Sequence, residues 1–120
     1  MDEFMRRVRS DGGVSGVLAE IERVVGTGRT YCSFDIDVLD PAFAPGTGTP
    51  EIGGMTTFDA QELIRGLRTL KLDLVGGDMV EVSPPFDPSG VTSHAGAGIL
   101  FEMLCAIADA TAARKQKKGQ

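Results

Sequence analysis

Apolar residues at Val14, Val17, Leu18, Ile21, Val24 and Val25 follow the i, i+3, i+4, i+7 spacing of a helix with one buried stripe. Gly26-Thr27-Gly28 ends that pattern, as a left-handed C-terminal cap does. The period then shortens, and Thr30-Tyr31-Cys32-Ser33-Phe34-Asp35-Ile36-Asp37 reads as a strand. From Leu39 to Gly54 there is no periodicity, but there are Pro41, Pro45, Gly46, Gly48, Pro50, Gly53 and Gly54. Loops this long in a compact domain are usually functional or disordered, and this one follows directly on two carboxylates. Thr56 or Thr57 caps a second helix with Asp59 and Glu62 in its first turn, and Ala60, Leu63, Ile64, Leu67 and Leu70 form its stripe. A second strand is predicted from about Leu72 to Val82, where Gly76-Gly77 marks a bend or close packing. After a proline-rich loop, Ser83 to Gly90, a last helix starts near Thr92 or Ser93. Its apolar face is Gly96, Ile99, Leu100, Met103, Leu104 and Ile107. Upstream, Met1 to Arg9 fits a short helical turn that Asp11-Gly12-Gly13 breaks.

Helix, strand, helix, strand, helix is the order of a βαβ unit, with a parallel sheet and right-handed crossovers. Two strands alone leave both sheet edges open. The chain is therefore expected to pair with further strands or to form part of a larger domain. Its 120 residues fit one domain, divided here into an α/β region over 1–113 and a basic, mobile tail over 114–120. A net charge of −5 argues against nucleic acid as a partner, since phosphate binding needs a basic face. Cys32 and Cys105 match no CxxC or zinc spacing and read as buried, inert thiols. No uninterrupted apolar run reaches membrane-span length, and the N-terminus lacks the apolar core of a signal peptide. The expected location is the cytoplasm, with no membrane partner.

The candidate chemistry starts at Asp35 and Asp37. Residues i and i+2 of a strand share a face, so both carboxylates are expected on one side, at the carboxyl end where open α/β sheets bind ligands. Two converging acids repel unless a cation or proton lies between them, and carboxylate oxygens suit Mg²⁺ or Mn²⁺. The plainer alternative is that they cap the turn that follows. Asp40, before Pro41, reads as a turn residue. Glu81, near the end of the second strand, either clamps a cationic substrate or serves as a cap or ion-pair acid. Asp78 points away from it and reads as structural. His94, the only histidine, reads as an exposed or capping residue. An aspartate-nucleophile phosphatase also uses D-x-D after a strand, with Asp35 attacking, Asp37 as acid or base, and Asp78 on the strand that adds a Mg²⁺ ligand. Against that reading, Lys71 is the only lysine before residue 115, and it is poorly placed to neutralise a phosphate.

The longer string Ser33-Phe34-Asp35-Ile36-Asp37-Val38-Leu39-Asp40-Pro41, continuing through Ala44-Pro45-Gly46-Thr47-Gly48-Thr49-Pro50 to Gly54, resembles the ureohydrolase family of arginases and agmatinases. Val80-Glu81-Val82-Ser83-Pro84 is also similar to that family, and the wording around Thr49 is similar to its agmatinase branch. The resemblance runs from Met1 to about Ala112. It implies the C-terminal portion of a three-layer α/β/α arginase-like fold with a parallel sheet, and an enzyme that hydrolyses a small guanidino substrate such as agmatine. It implies two Mn²⁺ ions sharing a hydroxide that attacks the guanidinium carbon and releases urea. Asp35 would bridge both metals, Asp37 would bind one, Glu81 would hold the guanidinium and Thr49 would hydrogen-bond near the substrate. No side chain of this chain is assigned as catalytic acid or base. The family's Gly-Gly-Asp-His and Asp-Ala-His-x-Asp segments, which carry the other metal ligands, do not occur here. The chain thus reads as about the C-terminal third, which alone would hold Mn²⁺ poorly, and as a trimer or hexamer when complete. A non-catalytic truncated α/β fragment or assembly module is the alternative.

Overall fold

Strands β1 (Arg29–Asp35) and β2 (Asp73–Val80) pair in parallel in the computed structural model, which describes residues 2–10 and 12–119. Four α-helices accompany them: α1 (Asp2–Arg9), α2 (Gly13–Val25), α3 (Thr57–Gly66) and α4 (Val91–Lys118). The crossover from β1 to β2 runs through α3, as the βαβ pattern requires. Thr30 pairs with Leu74 but Tyr31 pairs with Gly76, so Val75 is an extra residue bulged out of β2. Close packing accounts for Gly77. A Cβ there would lie 2.1 Å from Met103 Sδ on α4 and 2.7 Å from the Cys32 carbonyl oxygen.

Both strands stop earlier than expected. β1 ends at Asp35, and Ile36–Val38 forms a 3₁₀ turn. The Asp35 carboxylate accepts the backbone N–H of Asp37 at 3.1 Å and draws the chain out of the ladder. β2 ends at Val80 because Glu81 turns to the left-handed region, with φ 65°. At the other end of the chain, α4 runs on through the basic segment to Lys118, so no break in secondary structure marks residue 114. Arg114 pairs with Asp73 at the start of β2 and donates to the Leu74 carbonyl at 2.8 Å.

One face of the sheet is covered. Phe34 and Leu74 pack with Ala60, Ile64 and Leu67 from α3 and its continuation, and with Ile99 and Met103 from α4. Tyr31, Ser33 and Asp35 alternate with these along β1 and, like Val75 and Val80 of β2, are exposed. Among the described residues, then, one helical layer and the sheet are present, and the opposite sheet face is bare. The Cα radius of gyration, 15.1 Å, exceeds the roughly 14 Å expected of a compact chain of this length. Cys32 and Cys105 are half-buried rather than buried, and burial beside Asp78 pushes the Cys32 thiol up. Contrary to the reading from uninterrupted runs, Pro88–Lys117 is long and apolar enough to cross a membrane, with a mean hydropathy of 1.5 over its best window. Ile99, Met103 and Ala106 on that helix are nevertheless buried in the core.

Candidate functional site

The carboxyl end of β1 holds the acidic pair in an arrangement that strand periodicity does not describe. Asp35 is the last strand residue, on the bare face, while Asp37 lies in the 3₁₀ turn. Asp35 caps that turn, so the plainer reading of the pair describes a real contact. Their proximity still holds. Burial pushes the Asp35 carboxyl above its usual range, the Asp37 N–H works against this, and the negative charges of Asp37 and Glu81 add to it. Asp35 pairs in register with Val80, which places Glu81 one residue beyond the neighbouring strand.

The long loop closes over this end. The Thr49 hydroxyl donates to Asp37 Oδ2 at 2.7 Å, so Thr49 meets the metal-ligand candidate itself. Met55 N–H donates to the Val38 carbonyl at 2.8 Å and Asp40 N–H to the Met55 carbonyl at 2.9 Å, which zips the two ends of the loop together. Asp40 accepts the N–H groups of Ala42 at 2.9 Å and Gly53 at 2.8 Å. These hold its carboxyl below the usual range and confirm it as a turn residue. Gly54 is obligatory at the zip: a Cβ there would lie within 2.7 Å of three backbone atoms of Val38, Leu39 and Asp40.

A second set of contacts ties this loop to the one that follows Glu81. Gly46 N–H donates to Thr92 Oγ1 at 2.8 Å, and Ser83 N–H donates to the Gly46 carbonyl at 2.8 Å. Asp87 accepts the N–H groups of Thr92 at 2.7 Å and Ser93 at 2.9 Å, which caps the start of α4. Gly46, Asp87 and Thr92 therefore set where Glu81 stands relative to Thr49 and Asp37. Sequence reasoning named Gly46 as a loop residue and Thr92 as a helix start without joining them, and passed over Asp87, although an Asp before a helix is a recognisable capping signal. Thr47, only 3% exposed, keeps a hydroxyl without a partner among the described residues.

The remaining candidates lie apart from this cluster. Asp78 accepts hydrogen bonds from Ser33 Oγ at 2.6 Å and Tyr31 OH at 3.1 Å on the bare sheet face, which fits its structural reading. His94 is exposed and lines a groove of about 360 Å³ with Phe43, Thr57 and Val91. Among the described residues, no three His, Cys, Asp or Glu side chains converge as a metal-ligand set. Asp35 and Asp37 are two oxygen donors of the kind a hard divalent cation prefers, and their mutual repulsion favours one. They fit part of a coordination shell.

Residues 4–106 match the arginase family. The chain is 62% identical over 112 residues to guanidinopropionase of Pseudomonas aeruginosa, an overlap of 93% of this chain and 33% of that protein. It is 52% identical over 95 residues to agmatinase of Proteus mirabilis, covering 79% of this chain and 30% of the relative. Among solved structures it is similar to proclavaminate amidino hydrolase from Streptomyces clavuligerus, with a TM-score of 0.77 and 44% identity over 82% of this chain and 33% of that one. The chain thus spans about a third of the length of these relatives.

Proposed function

The chain belongs to the arginase family, and on that premise we propose that it carries one side of the metal and substrate site of an Mn²⁺-dependent hydrolase that releases urea from a guanidino compound. One observation carries the reading. Asp35 and Asp37 lie at the carboxyl end of β1, with Glu81 one residue beyond the paired end of the adjacent parallel β2, under a loop whose Thr49 holds Asp37. Asp35 and Asp37 would hold the metal. Bound there, Mn²⁺ supplies a water acidified enough to act as a nucleophile near neutral pH.

The chain's own groups do the rest of the work on this side. Glu81 offers a carboxylate to a planar guanidinium, which matches it through two parallel N–H···O bonds. It stands off the end of β2 and adds negative charge around Asp35, so a cation arriving there is attracted before it docks. Thr49 fixes the Asp37 carboxylate by a hydrogen bond at 2.7 Å. The other Asp37 oxygen and Asp35 Oδ2 would then be the atoms that hold the metal. Relatives named for agmatine and for guanidinopropionate support a substrate with the guanidino group at the end of a short chain.

Urea release from agmatine and from 3-guanidinopropionate tests this, with Mn²⁺ present and the chain assembled with the remainder of the fold. Turnover that falls by at least a thousandfold in both Asp35→Asn and Glu81→Gln is the expected outcome. An assembled, Mn²⁺-loaded protein that releases urea from neither compound overturns it. The second reading, a fragment without activity of its own, is favoured for the isolated chain by the lack of a third ligand among the described residues. Robust turnover by the 120 residues alone would remove that reading.

A further inference from the structure

A cavity of about 460 Å³ opens at the amino end of the sheet, between the start of β2, the 3₁₀ turn Leu67–Thr69 and the last turns of α4. That volume falls within the range of small-molecule sites. β2 runs from this cavity to the acidic end, which sets the two roughly 23 Å apart at the rise of a parallel strand. The floor is apolar: Leu67, Leu72, Leu74 and Ala106 line it, and all four are buried.

The rim is charged. Arg68 Nε pairs with Asp109 at 2.7 Å. Arg114 pairs with Asp73 and donates to the Leu74 carbonyl at 2.8 Å and to Thr111 Oγ1 at 2.7 Å. Lys71 and Lys117 also line the cavity, and among the described residues neither pairs with a carboxylate. Glu22 accepts the Lys71 backbone N–H at 3.5 Å but does not line the cavity. The two aspartates offset the two arginines. Two ammonium charges are left over an apolar floor, in a chain whose net charge is −5. The residues matched to the arginase family end at 106, so the stretch of α4 that carries Asp109, Arg114 and Lys117 lies beyond that match.

We propose that this cavity binds an amphipathic carboxylate, its alkyl chain laid on the leucine floor and its head held between the Lys71 and Lys117 ammonium groups. The two features choose this class together. Inorganic phosphate would satisfy the lysines but leave the floor wet, and an uncharged alkyl compound would cover the floor but leave the ammonium groups without a counter-ion. The arginine forks, which would favour a bidentate phosphate, are already engaged by protein acceptors. Every wall of the cavity belongs to this chain, and the proposal depends on neither the metal nor the guanidino substrate.

Calorimetric titration of the full chain with octanoate tests it. One saturable site per chain is expected. Octanol and inorganic phosphate should each bind at least tenfold more weakly, since each lacks one of the two features. Lys71→Glu and Lys117→Glu should each weaken octanoate about tenfold, as expected when an attractive charge at an accessible site becomes a repulsive one. Lys115→Glu makes the same change of net charge at an exposed site outside the cavity and should leave the affinity unchanged. So should Val75→Glu, on the bare sheet face. Circular dichroism of each variant checks that α4 is retained, and the comparison of the three probes needs no variant at all. The proposal is overturned if octanoate does not bind, if octanol or phosphate binds as tightly, if Lys115→Glu or Val75→Glu weakens binding as much as the cavity variants do, or if folded Lys71→Glu and Lys117→Glu bind octanoate as the unchanged chain does.

Discussion

Glu81 holds a backbone conformation that glycine would hold at lower cost. Its φ of 65° carries a left-handed penalty of roughly 1–2 kcal/mol for a residue with a Cβ. Glycine avoids that penalty but costs roughly 0.5–1 kcal/mol in chain entropy. Glu81→Gly is therefore expected to leave the protein no less stable, as read by the urea midpoint, while guanidinium capture is lost, as read by KM and kcat. A large loss of stability would show that the Glu81 side chain is structural. Thr49→Val removes the hydrogen bond to Asp37. It is expected to weaken Mn²⁺ binding several-fold in a calorimetric titration of the assembled protein, since a bond to a charged group contributes on the order of 1 kcal/mol at an exposed site. Asp35, Asp37 and Thr49 could be named as candidates because a strand-end D-x-D and its long glycine-proline loop form a continuous string, and Glu81 because it stands near the end of the second strand. The conformation of Asp37 was not legible. Period-two reasoning carries the strand to residue 37, whereas the Asp35 carboxylate captures the next turn's N–H and ends it two residues sooner.

The elements differ in how much of them is local. The capping box of α3 is written in Thr56 and Asp59, each accepting the other's backbone N–H, at 3.1 and 3.2 Å. Thr56→Ala is expected to cost about 1 kcal/mol in chemical denaturation. The loop between β1 and α3 was readable as a loop, but its closure was not, because the contacts of Gly54 with Val38 and Asp40 span the loop's whole length. Gly54→Ala is expected to disrupt the zip and the acidic pair beside it, whereas Gly48→Ala, with open space around its Cβ position, is expected to be tolerated. Equal effects of the two on metal binding would contradict this. The far end of α4 was illegible for the same reason: its polar sequence looks like a tail, but Arg114 reaches back to Asp73 and Leu74, some forty residues earlier in the chain. The start of α4 makes a pH prediction. Burial would raise the Asp87 carboxyl, but the hydroxyl of Ser93 and the N–H groups of Ser93 and Thr92 outweigh it and lower its pKa from 3.8 to about 2. A depressed folded-state value means that the cap's stabilisation is complete above about pH 4 and is lost as pH falls through 2. Asp87→Asn is expected to flatten that acid limb of helicity followed by circular dichroism.

For the whole molecule, the bare sheet face and the strand edges open among the described residues, taken with the proposed Asp35–Asp37 metal pair, predict that the isolated chain is little stabilised by metal. Metal that binds only the native state stabilises it by RT ln(1 + [L]/Kd), about 2.7 kcal/mol when the free ion is at a hundred times Kd. Two carboxylates with the rest of the shell left to water bind too weakly to reach that ratio at ordinary Mn²⁺ concentrations, and among the described residues the chain offers no third ligand. The isolated chain is thus expected to show the same thermal transition with Mn²⁺ as with a chelator. Its transition should also be broad, with hydrophobic-dye binding to the surface around Tyr31, Phe101 and Leu104. In the assembled protein the dye signal should fall and the midpoint should rise by several degrees on Mn²⁺ addition, reversibly on chelation. The same shift in Asp35→Asn would mean that the ion binds elsewhere. A sharp, Mn²⁺-dependent transition in the monomeric chain would mean that these 120 residues already form a complete metal site.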